Sequence, residues 1–126
     1  MSFHWGDYLT LAESLVSDPA APEPREAALR AAISRAYYAA FCSARNLAKS
    51  QGEIVPTRTA SEHELVIVHF RGSSDPRRRR IGADLGRLRK YRNNADYDDQ
   101  LAGDPLDKAK LSVATARNVL TALGSL

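Results

Sequence analysis

The sequence predicts an all-α protein, an up-and-down antiparallel bundle of four to five helices that takes in residues 1–126 as a single domain. Three observations carry that expectation. Between Arg25 and Gln51 no Gly or Pro interrupts the chain, which leaves room for a helix of roughly 40 Å. Two Asp-Pro pairs, Asp75-Pro76 and Asp104-Pro105, each precede apolar residues in steps of three and four, so that Asp serves as N-cap and Pro as first helical residue. Only one short run, Val66-Ile67-Val68, has the β-branched make-up of a strand.

The elements follow in order. Trp5, Leu9, Ala12 and Val16, with Tyr8 and Leu15 beside them, predict a first helix near residues 3–17. The proline-rich "SDPAAPEP" then makes a stiff connector. The second helix has the stripe Leu29, Ile33, Ala36, Ala40, Ala44 and Leu47, widened by Tyr37, Phe41 and Ala48, with Gly52 at the capping position. Adjacent Tyr37 and Tyr38 point about 100° apart, so one faces the core and the other a different partner. "GEIVPTR" reads as a loop. "TASEHELVIVHFRG" reads as a short helix, because Thr59 with Glu62, or Ser61 with Glu64, has capping-box spacing and Gly72 closes the segment. The fourth helix starts at Asp75. The last buries Leu106, Ala109, Val113, Ala116, Leu120 and Leu123.

Composition limits the function classes. No stretch reaches the roughly 18 apolar residues of a membrane span, and "MSFHWGDYLTL" lacks the basic start of a signal peptide. The one cysteine, Cys42, cannot form an internal disulfide and reads as a packing residue in a reducing compartment. The expectation is a cytoplasmic protein with no membrane partner. The net charge of +3 conceals an asymmetry, since residues 71–92 hold nine basic side chains against Asp75 and Asp84. That segment, with Arg77, Arg78, Arg79, Arg80, Arg89 and Arg92, is either a solvated face or a surface for the phosphates of RNA or a nucleotide.

One arginine is out of place. The stripe of the fourth helix runs Ile81, Leu85, Leu88, Arg92, Ala95, so a permanent cation stands where the pattern wants an apolar residue. A guanidinium out of water needs carboxylate, carbonyl or phosphate partners. Either Arg92 is pinned to Asp96 one turn on, or it faces a phosphate in a cleft with Asn93 and Asn94 beside it. Gly82 and Gly86 on the same helix let another backbone come close. Asp96, Asp98 and Asp99 gather near the helix end, but no His or Glu completes a metal set, and His4, His63 and His69 are not spaced for a metal. No Ser-His-Asp arrangement, P-loop or GxGxxG stands out, so neither metal nor cofactor is expected.

Two motifs together, "AAISRAYYAAFCSARNLAKSQG" and "LRKYRNNADYDD", resemble the HEPN domain (higher eukaryotes and prokaryotes nucleotide-binding) over about residues 25–123. The resemblance implies a helical bundle that commonly forms a homodimer, places Ser34, Tyr37, Tyr38 and Phe41 in packing or dimer contacts, and suggests a toxin–antitoxin or anti-phage setting. A small nucleotidyltransferase is the partner protein it suggests. Active members are metal-independent endoribonucleases carrying an Arg, a polar neighbour, and a His several residues on. Arg92 and Asn93 match the first two, but the His place holds Tyr97, and the place of a modifiable Tyr holds Asp99. A missing general base removes a contribution of roughly 10²–10⁴-fold. The resulting expectation is a module that binds RNA, a nucleotide or a partner protein with weak or no nuclease activity, Arg92, Asn93 and Tyr97 being the candidate catalytic positions. A working ribonuclease with Arg92 in a dimeric cleft, and a purely structural dimerisation module, are the alternatives.

Overall fold

A computed structural model describes residues 2–18 and 23–126. Its five helices are α1 (Gly6–Ser17), α2 (Arg25–Ser50), α3 (Ser61–Arg71), α4 (Pro76–Tyr97) and α5 (Pro105–Gly124), with no strand among the described residues. The all-α bundle expected from the sequence is what forms, and the β-branched run 66–68 is helical. Half of the proline-rich connector, residues 19–22, lies outside the described residues. No helix among the described residues is long and apolar enough to cross a membrane.

α2 is the spine. It packs against α1, α4 and α5, while α3 lies chiefly along α4. Composition explains the arrangement: Ala28, Ala32, Ala36, Ala39, Ala40, Ala44 and Ala48 are all buried, and side chains this small let several helix axes approach at once. Tyr37, Phe41, Phe70, Leu85 and Leu88 fill the volume that remains. Each such side chain contributes roughly 1.5–3 kcal/mol on full burial. A second, smaller cluster joins Leu29 and Ile33 of α2 to Ala95 of α4 and Ala109 of α5.

Two arginines of α2 close the ends of neighbouring helices. Arg25 donates to the carbonyls of Leu15 and Val16 at 2.6 and 2.5 Å, at the end of α1. Arg30 donates to the carbonyls of Ala95 at 3.1 Å, Asp98 at 2.6 Å and Asp99 at 3.3 Å, at the end of α4. A cation there meets orphan carbonyls and the negative end of the helix dipole.

Caps differ in how well the sequence foretells them. Asp75 and Asp104 cap α4 and α5 as expected, accepting from Arg77 N at 2.9 Å and Asp107 N at 3.2 Å. The capping boxes expected on α3 do not form. Thr59 Oγ1 bonds Ser61 Oγ at 2.7 Å instead, and the buried Glu62 carboxylate accepts from Arg58 N at 2.9 Å and lies 3.4 Å from Arg45. The reason is placement: packing puts the Arg45 guanidinium and the Arg58 amide within reach of the Glu62 carboxylate, and they take its lone pairs.

Close approach of another backbone is realised at Gly82. A Cβ there would stand 2.5 Å from Arg71 N, so only glycine admits the end of α3 onto α4. That contact fixes how far α3 can slide, and so where His63 ends up.

Candidate functional site

α2, α3 and α4 bring their polar groups together around Arg92. The register of α4 puts Ile81, Leu85 and Leu88 in the core, and Arg92 follows one turn later on the same stripe, before the buried Ala95. Its side chain is 14% exposed. Its partners include more than Asp96. One terminal nitrogen donates to the Tyr38 hydroxyl and the other to Asn93 Oδ1. Nε lies 3.4 Å from Asp96 Oδ2, too poorly aligned to count as a hydrogen bond, and is buried without another partner. The guanidinium also lies 5.7, 5.2 and 5.9 Å from the ring centroids of Tyr37, Tyr38 and Tyr97. Burial works against the charge, yet the Tyr38 hydroxyl and Asp96 more than offset it, and the group is held above its ordinary pKa. Asp96 Oδ2 is itself 3.4 Å from Ser34 Oγ.

The donor count matters here. Each terminal nitrogen of a guanidinium carries two N–H groups, so one bond apiece to Tyr38 and Asn93 leaves a second on each. Guanidinium N–H groups of this kind are the donors that suit a phosphate. Tyr97, 75% exposed, is a free ring face next to them.

Of the residues expected in packing or dimer contacts, Ser34, Tyr37 and Phe41 are buried within the protomer, and Tyr38 alone reaches partly to solvent. The small and aromatic surface of α2 is therefore consumed by the bundle's own core. The expected split between the two adjacent tyrosines is real: Tyr37 faces inward, and Tyr38 faces Arg92 and Arg35, whose guanidinium lies 5.5 Å from the Tyr38 ring and 4.8 Å from that of Tyr8.

His63 is the residue that sequence reasoning missed. It stands 26 positions after Tyr37, and its Nδ1 is 2.5 Å from the Tyr37 hydroxyl. Its ring stacks on Phe41 at 4.4 Å and on Tyr37 at 5.6 Å. A signal exists: His63 lies three and four residues before Val66 and Ile67, so it belongs to the buried stripe of α3. Metal-ligand spacing, the property that usually singles out a histidine, does not reveal it.

The protonation of this pair follows from its surroundings. Burial raises the Tyr37 phenol well above its ordinary value, against the pull of Arg89 and Arg92, so it keeps its proton. Burial also lowers the pKa of His63, helped by Arg89 and Arg92, so the imidazole is neutral near pH 7. Tyr37 has no other hydrogen-bond acceptor among the described residues, so its hydroxyl donates to Nδ1 and the ring proton sits on Nε2. The imidazole next to Arg92 is thus a neutral donor, not a free base.

The four consecutive arginines at the start of α4 do not form one face, because successive helical residues point about 100° apart. Arg77 pairs with Asp75 at 2.9 Å. Arg78 reaches Glu53 at 2.8 Å and Gln51 at 2.7 Å, and lies 5.3 Å from the Phe70 ring. Arg79 donates to the Ser73 and Ser74 carbonyls at 3.1 and 2.9 Å, and Arg80 lies 3.4 Å from the buried Asp84. Arg78 is mostly covered, whereas Arg77, Arg79 and Arg80 are exposed. Arg89 lies 3.3 Å from Glu64, whose side chain is largely open to solvent. Among the described residues no group of three His, Cys, Asp or Glu side chains converges. Burial pushes the Cys42 thiol up to about 11, so it stays protonated and unreactive in the core.

Comparison with known proteins adds one finding. A family model described as the HEPN domain matches residues 23–126, which takes in α2 to α5 and leaves α1 outside. No curated protein and no solved structure matches the chain.

Proposed function

Because the chain belongs to the HEPN family, we propose that it is an RNA-binding module that holds a backbone phosphate at Arg92, works as a homodimer, and cleaves RNA weakly or not at all. One observation carries the reading. Arg92 is fixed from three sides by Tyr38, Asn93 and Asp96 while each terminal nitrogen retains an N–H. A preset fork loses little side-chain freedom when a phosphate arrives. Arg89 adds charge nearby, Tyr97 offers a base a stacking face, and Arg77, Arg79 and Arg80 supply long-range attraction. Weak cleavage follows from the state of His63: a neutral ring whose basic nitrogen is occupied by Tyr37 takes no proton from a 2′-hydroxyl. Pairing of two copies is supported by apolar side chains left in solvent on α3, Leu65 and Val68, and by Tyr97 at the end of α4. A toxin–antitoxin or anti-phage setting, with a nucleotidyltransferase as partner, is the family context this reading fits.

A second reading, a metal-independent ribonuclease, draws on the same histidine. If RNA binding displaces Tyr37 from Nδ1, an imidazole stands free on the ring cluster that also holds Arg92.

Purified protein with RNA in EDTA separates the two. The binding reading expects a shifted RNA band without products, lost in Arg92→Ala and kept in His63→Ala. Cleavage by the wild type that His63→Ala abolishes establishes the enzyme instead. Binding that Arg92→Ala leaves untouched ends both. A mass near that of two 13.8 kDa chains by light scattering is the expected assembly.

A further inference from the structure

Around Arg45 of α2 and the loop before α3, the molecule has a second concentration of charge. A hollow of about 280 Å³ is lined by Arg45, Asn46, Lys49, Pro56, Arg58 and Glu62. Three cations face one carboxylate, and that carboxylate is already engaged. Glu62 is buried, with Oε2 accepting from Arg58 N at 2.9 Å and Oε1 lying 3.4 Å from Arg45. Lys49 and the Arg58 side chain are exposed and have no ion-pair partner among the described residues. Arg58 also sits at φ 57, a left-handed conformation unfavourable to a residue with a side chain, and Glu62 holds it there. Arg45 is fixed too, donating to Asn46 Oδ1 at 3.0 Å and lying 5.7 Å from the Trp5 ring and 5.9 Å from the Phe41 ring. The Arg45 and Glu62 walls are held in place and the net charge is positive.

A second hollow, about 460 Å³, adjoins the first at Asn46 and is lined by Phe3, His4 and Trp5 among others. Phe3 is half exposed, and its ring meets that of Trp5 edge-on at 4.8 Å. A cationic chamber and an aromatic one thus share Asn46, with Arg45 lining the first and stacking toward the second. We infer that the two neighbouring hollows together bind a phosphate ester carrying a flat ring, a nucleoside monophosphate or the 5′-phosphorylated end of a nucleic acid. The phosphate lies against Lys49, Arg58 and the unused N–H groups of Arg45, and the ring against Phe3 and Trp5. The aromatic half, Phe3 to Trp5, precedes α1 and lies outside the family match, and neither hollow is lined by Arg92.

Trp5 is the one tryptophan of the chain, so its fluorescence reports on the aromatic chamber directly. Whole protein is titrated at low salt with adenosine 5′-monophosphate, adenosine, inorganic phosphate and a 5′-phosphorylated tetranucleotide, with calorimetry in parallel. The monophosphate should quench Trp5 and bind at least tenfold more tightly than adenosine or phosphate alone. The Lys49→Ala/Arg58→Ala double variant should lose at least tenfold of that affinity, and Lys49→Glu, a single exposed change, should lose it as well. Lys110→Ala, which removes a cation elsewhere, should bind like the wild type. A tetranucleotide that matches the monophosphate assigns the site to a nucleic-acid end, and one that fails to bind assigns it to a free nucleotide. Absence of binding at millimolar ligand overturns the inference. So does binding that survives Lys49→Glu, or that disappears in Arg92→Ala instead.

Discussion

The two ends of α4 carry similar charge and do different things with it. At the N-terminal end four arginines stand in a row, fan out around the helix, and find four separate local partners: Asp75, Glu53, loop carbonyls and Asp84. At the C-terminal end a single arginine sits on the core stripe and is gripped by side chains from two helices, Tyr38 on one and Asn93 and Asp96 on the other. Density of charge along a sequence therefore does not mark a site. What marks one is a charge that the fold half buries, orients and leaves with unused donors.

That contrast can be broken in graded steps. The largest effect belongs to the close approach of α3 and α4 at Gly82. Gly82→Ala pushes a Cβ into the backbone of Arg71, and should lower stability by about 3 kcal/mol in urea denaturation. A loss under half that figure would mean that α3 slides freely along α4, and the position of His63 would no longer be dictated by packing.

Arg92→Ala comes next. It strips a charged partner from Tyr38 and Asp96, and should destabilise the protein by about 2 kcal/mol while abolishing RNA binding. Asp96→Asn tests the pin alone. With Arg92 still held by Tyr38 and Asn93, it should cost about half as much and leave RNA affinity within threefold. Equal stability losses with unchanged RNA binding in both variants would reduce Arg92 to a structural tether.

The other end should respond in the opposite sense. Arg78→Ala removes a mostly covered tether between Glu53, Gln51 and Phe70. It should lower stability by about 1 kcal/mol with little change in RNA affinity. Replacing Arg77, Arg79 and Arg80 together should leave the denaturation midpoint in place and flatten the dependence of RNA affinity on salt, by about one unit of slope for each phosphate no longer neutralised. If Arg78→Ala weakens RNA binding as much as Arg92→Ala, the distinction between the two ends collapses.

The smallest effect is in pH. Near Arg92, burial holds the folded pKa of His63 below its ordinary value. The unfolded chain then binds the extra proton first, so this contribution is complete above the unfolded value of about 6.5 and is lost as pH falls toward the folded one. At the other end, Arg78 and His69 hold Glu53 below the usual carboxylate range. Its contribution persists to lower pH and fades only as pH falls through that depressed value. Denaturation midpoints between pH 4 and 8 should show the first decline in the wild type and lose it in His63→Gln, whereas Glu53→Gln should leave it in place. A decline below pH 6.5 that persists unchanged in His63→Gln would show that another group titrates there.

Much of this protein is local and legible as such. The Asp-Pro starts of α4 and α5, the uninterrupted run of α2, the stripe that ends in Arg92 and the opposed directions of Tyr37 and Tyr38 depend on spacing along one helix. Spacing is a property the sequence displays, because the helical period is fixed by backbone geometry. The three-dimensional structure decided what spacing cannot express. Arg30 closes the end of α4 from 65 to 69 residues away, and His63 reaches Tyr37 from another helix. Glu62 turns from a helix cap to Arg45 and the Arg58 amide, and Arg78 folds down onto Phe70 while its neighbours stay in solvent. Each is a choice among several polar partners of similar strength, and which one wins depends on where packing puts the competing groups, not on the groups themselves.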